Sequence, residues 1–132
     1  VTDGLFQYID DGQTNIVTPE LINDWLKYYG DISSKDFRTW GANSSLIEKL
    51  LKVKEIPDNK TKIKKTLIQA IKDNSVELNH TAAISKKNYI HPGFLDYYTN
   101  NTEEFYNMSK NYSKRKYLDK SDQILINILN RI

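Results

Sequence analysis

Three prolines divide this chain, and each falls where a helix should start or stop. Proline lacks an N–H and has a fixed φ, so it fits the first turn of a helix and breaks an interior. Thr18-Pro19-Glu20 reads as a helix start, with a capping hydroxyl, a proline in the first turn and an acid near the positive end. Pro57 separates a second helix from a third, which Asp58 or Asn59 caps. Pro92 closes a short basic helix and precedes another. Ser33, Thr81, Thr102 and Ser121 supply further hydroxyl starts. The expectation is a mainly α chain: six or so short helices around one core, a single domain over residues 1–132.

The apolar faces follow from helical spacing. Leu21, Ile22, Trp25, Leu26 and Tyr29 share a face in the first helix, which Gly30 ends; packing into core is the expected fate of such aromatics. Phe37, Trp40, Ile47, Leu50 and Leu51 mark the second helix, opened by box-like capping between Ser33 and Asp36. Ile63, Leu67, Ala70 and Ile71 mark the third, with Asn74 at its left-handed end. Ile124, Leu125, Ile128, Leu129 and Ile132 mark the last, capped by Ser121-Asp122. Ahead of these, Leu5-Phe6-Gln7-Tyr8-Ile9 reads as one short strand, ended by the turn Asp10-Asp11-Gly12-Gln13. A lone strand is unstable, so its partners are expected upstream in a longer protein.

Charge and cysteine content narrow the function classes. Cysteine is absent, which excludes disulfides and thiolate metal sites. The two histidines form no cluster at ligand spacing, so no metal or other cofactor is expected. No apolar run is long enough to span a membrane. The net charge is only +2, but residues 49–72 hold eight lysines while residues 1–36 are rich in acids. A lysine-rich helix is most often a solvated face; a basic side turned to a phosphate backbone is the sharper reading. Glycosylation sequons such as those at Asn43, Asn59 and Asn100 are accidental in so asparagine-rich a chain.

The chemistry concentrates in His80-Thr81 through Tyr89. In one continuous helix the step from His80 to Tyr89 would be about two and a half turns, with the side chains on opposite sides. A break is needed if both are to meet one substrate, and Thr81 can supply it by capping a new helix. Tyr89 then stands at the end of a short basic helix carrying Lys86 and Lys87. A tyrosine hydroxyl is a poor nucleophile at neutral pH and needs cationic neighbours to stabilise the charge it develops. Arg38, in the first turn of the second helix, is a fixed guanidinium near helix amides, a suitable place to hold a phosphate. On spacing alone, an exposed arginine paired with Asp36 is the commoner fate.

These residues carry a resemblance. Lys35-Asp36-Phe37-Arg38-Thr39-Trp40-Gly41, followed by Asn79-His80-Thr81 and Ser85-Lys86-Lys87-Asn88-Tyr89, resembles the K-D-x-R-T-[YW]-G and G-H-T-x-x-x-S-K-x-Y blocks of the type IB DNA topoisomerases, in the small poxvirus and giant-virus form shared with bacteria. Asn79 departs from the family's glycine. The resemblance covers nearly the whole chain and implies a compact multi-helix bundle of the type IB topoisomerase and tyrosine recombinase catalytic fold.

It also implies roles. Tyr89 is the expected nucleophile, forming a 3′-phosphotyrosyl link and releasing a 5′-hydroxyl. Arg38 is the expected ligand of the non-bridging oxygens, and His80 the hydrogen-bond donor to the same phosphate. Lys35 and Lys86 match lysines that contact DNA; Lys87, Asn43 and Ser85 complete the candidate DNA contacts. The partner is double-stranded DNA, with no cofactor, metal or membrane. An intracellular enzyme is implied, placed for a virus in the virion or host-cell cytoplasm.

The family also uses a second arginine and a lysine general acid on an upstream β-hairpin. Here the arginines are Arg38, Arg115 and Arg131, the last two beyond the tyrosine. The chain is therefore expected to be the C-terminal part of a catalytic domain. Its second partner is the missing N-terminal part of the same enzyme, and alone it would cleave DNA slowly if at all. Two other readings stay open. A tyrosine recombinase shares the Arg…His…Tyr order but usually carries His-x-x-Arg where this chain has Lys35-x-x-Arg38. A helical DNA-binding module would keep the shape without the chemistry.

Overall fold

The computed structural model describes residues 7–132, which fall into two compact units divided between Arg38 and Thr39. In the first unit, β1 (Gln7–Asp10) pairs antiparallel with β2 (Gln13–Ile16), Gln7 opposite Ile16 and Asp10 opposite Gln13. Asp11 and Gly12 connect them with φ of 50° and 77°. Two positive φ values in a two-residue loop match the right-handed twist of a hairpin, and Asp-Gly is among the best pairs for it. The strand thus has a downstream partner, and the described residues hold two strands instead of one. Leu5 and Phe6 lie outside the described residues. The hairpin carries no lysine.

Helix α1 (Pro19–Leu26) begins as its sequence demands: the Thr18 hydroxyl accepts the Leu21 N–H at 3.2 Å. It ends at Leu26, one turn before Gly30. Its apolar face is not core. Leu26 is buried, but Leu21, Ile22, Trp25 and Tyr29 are exposed, Trp25 by 58%. Trp25 and Tyr29 meet edge to face, centroids 5.0 Å apart, which shelters only part of each ring. A hairpin and an eight-residue helix offer no second layer within this unit.

Helix α2 (Ser34–Leu51) starts with the Asp36 carboxylate accepting from the Ser33 N–H at 2.7 Å and from its hydroxyl at 3.1 Å. Phe37, assigned above to the buried side, is exposed; Ala42, Leu46, Ile47 and Leu50 form that side.

The second unit holds the core. Helices α3 (Lys60–Glu77), α4 (Ala82–Asn88), α5 (Pro92–Asn100), α6 (Thr102–Ser109) and α7 (Lys120–Arg131) follow in order. Helix α3 packs on α4 and α5, and α5, α6 and α7 pack on one another. Leu46, Ile47 and Leu50 of α2 meet Phe94, Tyr98, Phe105, Ile124, Leu125 and Ile128, all enclosed. The Tyr106 hydroxyl donates to the Leu50 carbonyl at 3.0 Å, so it accepts from Tyr98 at 2.9 Å. Burial raises both tyrosines above the usual phenol range, so this relay stays protonated and joins α5, α6 and the end of α2.

The lysines of α3 occupy its exposed side, as their spacing implied, and the Asn59 side chain caps the helix by accepting the Lys62 N–H at 2.9 Å. Helix α7 is capped by Asp119, not Ser121; the Asp122 carboxylate reaches back to accept the Asp119 N–H at 3.2 Å. No helix among the described residues is long and apolar enough to cross a membrane.

Helix α3 passes Asn74 and runs to Glu77; Asn74 is fully buried, donating to the Ala42 carbonyl at 3.2 Å. The left-handed residue is Asn79, at φ 57°. That conformation explains why glycine is favoured there and why asparagine can replace it, being the side chain that best tolerates this region. Asn79→Gly should leave stability within a few tenths of a kcal/mol, whereas Asn79→Ala should cost about 1 kcal/mol. Thermal melting checks this, with an expected fall of roughly 3–5 °C for the alanine variant only.

Candidate active site

His80 and Tyr89 are brought together by the break between α3 and α4. After Asn79 turns the chain, the His80 N–H donates to the Ser75 carbonyl at 2.9 Å, fixing the histidine against the end of α3. The Thr81 hydroxyl accepts the Ile84 N–H at 3.2 Å and starts α4 in a new direction. At the far end, the Ser85 carbonyl accepts from both Tyr89 and Ile90 N–H groups at 3.0 Å, closing the helix. The two rings then stack, centroids 5.0 Å apart and planes 20° from parallel. Both side chains are half-buried. A continuous helix would have separated them; a seven-residue helix bounded by two caps does not.

The Tyr89 turn is held from α2. Asn43 is 3% exposed, and both ends of its amide are engaged. Its Nδ2 donates to the Thr39 carbonyl at 2.7 Å and to the Tyr89 carbonyl at 2.8 Å; its Oδ1 accepts the His91 N–H at 2.9 Å. His91 then caps α5, its Nδ1 accepting the Gly93 N–H at 3.0 Å. The backbone on either side of Ile90 is therefore fixed by one side chain. Asn43, expected above to touch DNA, faces inward, and its burial also leaves no room for a glycan. Ser85 is likewise fully buried and acts through its carbonyl.

The lysines do face solvent. Lys35, Lys86 and Lys87 are exposed. Lys86 also lines, with Lys60 and Lys64, a groove of about 680 Å³ floored by Ile63, Leu67 and Leu95. Arg38 is exposed in the first unit, as the fifth residue of α2 and not in its first turn. It stands about 6 Å along the axis from the helix start. The terminal amides are beyond it, so its contribution is its own guanidinium. Among the described residues no group of three or more histidine or acidic side chains converges as metal ligands would.

Nothing local to Asn43 announces bonds to residues 46 and 48 positions away. The His80–Tyr89 pair was legible because a threonine cap and a proline are local signals.

Residues 2–116 match the family model described as the eukaryotic DNA topoisomerase I catalytic core. A DNA topoisomerase 1B of Acanthamoeba polyphaga mimivirus is 39% identical over 112 residues, covering 78% of this chain and 33% of the viral protein. The chain thus spans about a third of the length of that relative. With both blocks inside the matched range, in order, the chain belongs to the type IB DNA topoisomerase family.

Proposed function

We propose that this chain carries the nucleophile of a DNA strand-transfer reaction. The Tyr89 hydroxyl oxygen attacks a backbone phosphorus, forming a 3′-phosphotyrosyl bond as the bond to the 5′-oxygen breaks. The phenolic proton leaves, and the departing 5′-oxygen takes up a proton. Neither strand end is hydrolysed, so the 5′-hydroxyl can attack the phosphotyrosine and restore the phosphodiester without ATP. Rotation of the duplex between the two steps relaxes supercoils.

The observation that carries this reading is the stacked His80–Tyr89 pair at the junction of two helix caps. The pairing of these rings supports a reading in which the imidazole N–H donates to the phosphate that the phenol attacks. The transition state is a five-coordinate phosphorus with excess negative charge, so donors fixed before the reaction lower its barrier most. Arg38 supplies a guanidinium to the non-bridging oxygens in the DNA-bound enzyme. The second arginine and the lysine that protonates the leaving oxygen come from an upstream part of the same protein.

The intact protein should relax supercoiled plasmid in EDTA without ATP. Exchange between two defined sites without relaxation would favour a recombinase, and binding without strand breakage would favour a DNA-binding module.

Lys86 and Lys35 are assigned to the DNA backbone. Backbone contacts release condensed counterions, so affinity falls steeply with salt. Lys86→Ala should weaken binding about equally on unrelated duplexes and flatten the slope of log affinity against log salt by about one unit. Fluorescence anisotropy over a salt series would measure it; a loss confined to one duplex sequence would contradict the assignment.

A further inference from the structure

The turn bearing Tyr89 is anchored, through two steps, to the last helix of the chain. Asn43 grips that turn, and its neighbour on α2 is Ser44, also buried. The Ser44 hydroxyl donates to Asp122 Oδ1 at 2.8 Å. Having one proton, it therefore accepts from the Ser121 hydroxyl, also at 2.8 Å. One turn earlier on α2, Trp40 Nε1–H donates to the same Asp122 oxygen at 2.8 Å. The other oxygen of Asp122 takes the Asp119 N–H at 3.2 Å. A single half-buried carboxylate thus receives three neutral donors, two of them from α2. Charge-assisted bonds of this kind are about twice as strong as neutral ones and fix position as well as distance.

The grip of Asn43 depends on where α2 stands. Its bonds to Tyr89 and His91 are 2.8 and 2.9 Å long, so a slide of α2 by about 1 Å would break them. We propose that Asp122 is a positioning residue for strand cleavage: it clamps α2 through Trp40 and Ser44, and α2 presents Asn43 to hold the Tyr89 turn. The proposal rests on the reading of Tyr89 as nucleophile. Asp122 touches neither DNA nor the reacting atoms in it.

The test uses the intact protein and a duplex nicked so that cleavage is irreversible. The cleavage rate constant at saturating DNA is measured in a single turnover, beside the Kd for uncut duplex. Displacement of a nucleophile by about 1 Å can cost on the order of 10²-fold in rate. Asp122→Ala should approach that loss, and Asp122→Asn, which keeps the shape, should lose roughly tenfold. The Kd should stay within about twofold, since neither variant alters a DNA contact. Adding Asn43→Ala to Asp122→Ala should slow the reaction little further, because both act on one path.

Should Asp122→Ala melt below the assay temperature, Asp122→Asn and Trp40→Phe carry the test; the latter removes one donor and keeps most of the ring. A folded Asp122 variant with the full rate constant at saturating DNA overturns the proposal. So do losses that multiply with that of Asn43→Ala. Absence of any adduct from the unsubstituted protein is a different result: it removes the role of Tyr89 itself.

Discussion

Tyr89→Phe should bind DNA as tightly as the unsubstituted protein and form no covalent adduct with it. The substitution deletes one oxygen and leaves the ring. That ring stacks on His80 and packs partly on the core, so the turn held by Asn43 should keep its shape. On the proposed reading, affinity rests on cations such as Lys35 and Lys86, which the variant retains. On the proposed mechanism, what is lost is the atom that forms the new bond to phosphorus. Single-turnover assays on a nicked duplex, with Kd measured in parallel, would check it. Residual adduct at even a hundredth of the normal rate would point to another nucleophile.

Arg38→Ala should lower the cleavage rate constant by about 10²–10³-fold, the usual loss when one preorganised donor to a developing oxyanion is removed. Its effect on Kd should be small, because one exposed cation among several contributes modestly to binding the uncut backbone. Arg38→Lys should recover only part of the loss. A guanidinium presents a planar fork to two oxygens of one phosphate, and an ammonium presents a point charge. The same single-turnover assay separates the effects: a rise in Kd with an unchanged rate constant would make Arg38 a binding residue only. The helix dipole adds little at Arg38, which lies past the first turn of α2.

How far sequence reasoning reached depends on whether the deciding interaction was local. Thr18, Asn59 and Thr81 each accept an N–H three residues ahead, and each was readable as a cap. Thr81 matters most, because its cap redirects the chain and lets His80 meet Tyr89. Sequence points to Asn74 as the left-handed residue, and the structure has Asn79 there instead. An asparagine near a helix end has two fates, a turn or a buried hydrogen bond, and only the position of Ala42 across the core decides between them.

Periodicity also overreached on α1. It identifies residues that share a face but not whether anything covers that face, and Leu21, Ile22, Trp25 and Tyr29 remain exposed. The second strand was missed because Gln13-Thr14-Asn15 has no apolar alternation; the Asp11-Gly12 turn defines the hairpin instead. Asn43, Ser44 and Asp122 were the least legible. Their bonds join segments 46 to 78 positions apart, and a buried asparagine or serine has the same local signature as an exposed one.

The most direct measurement is to trap the intact protein on a nicked duplex, digest it with trypsin, and identify the nucleotide-bearing peptide by mass spectrometry. The phosphate is expected on the Tyr89 oxygen, attached to the 3′ side of the break, with a free 5′-hydroxyl on the released strand. Phosphate on any other residue, or attachment through the 5′ end, would contradict it.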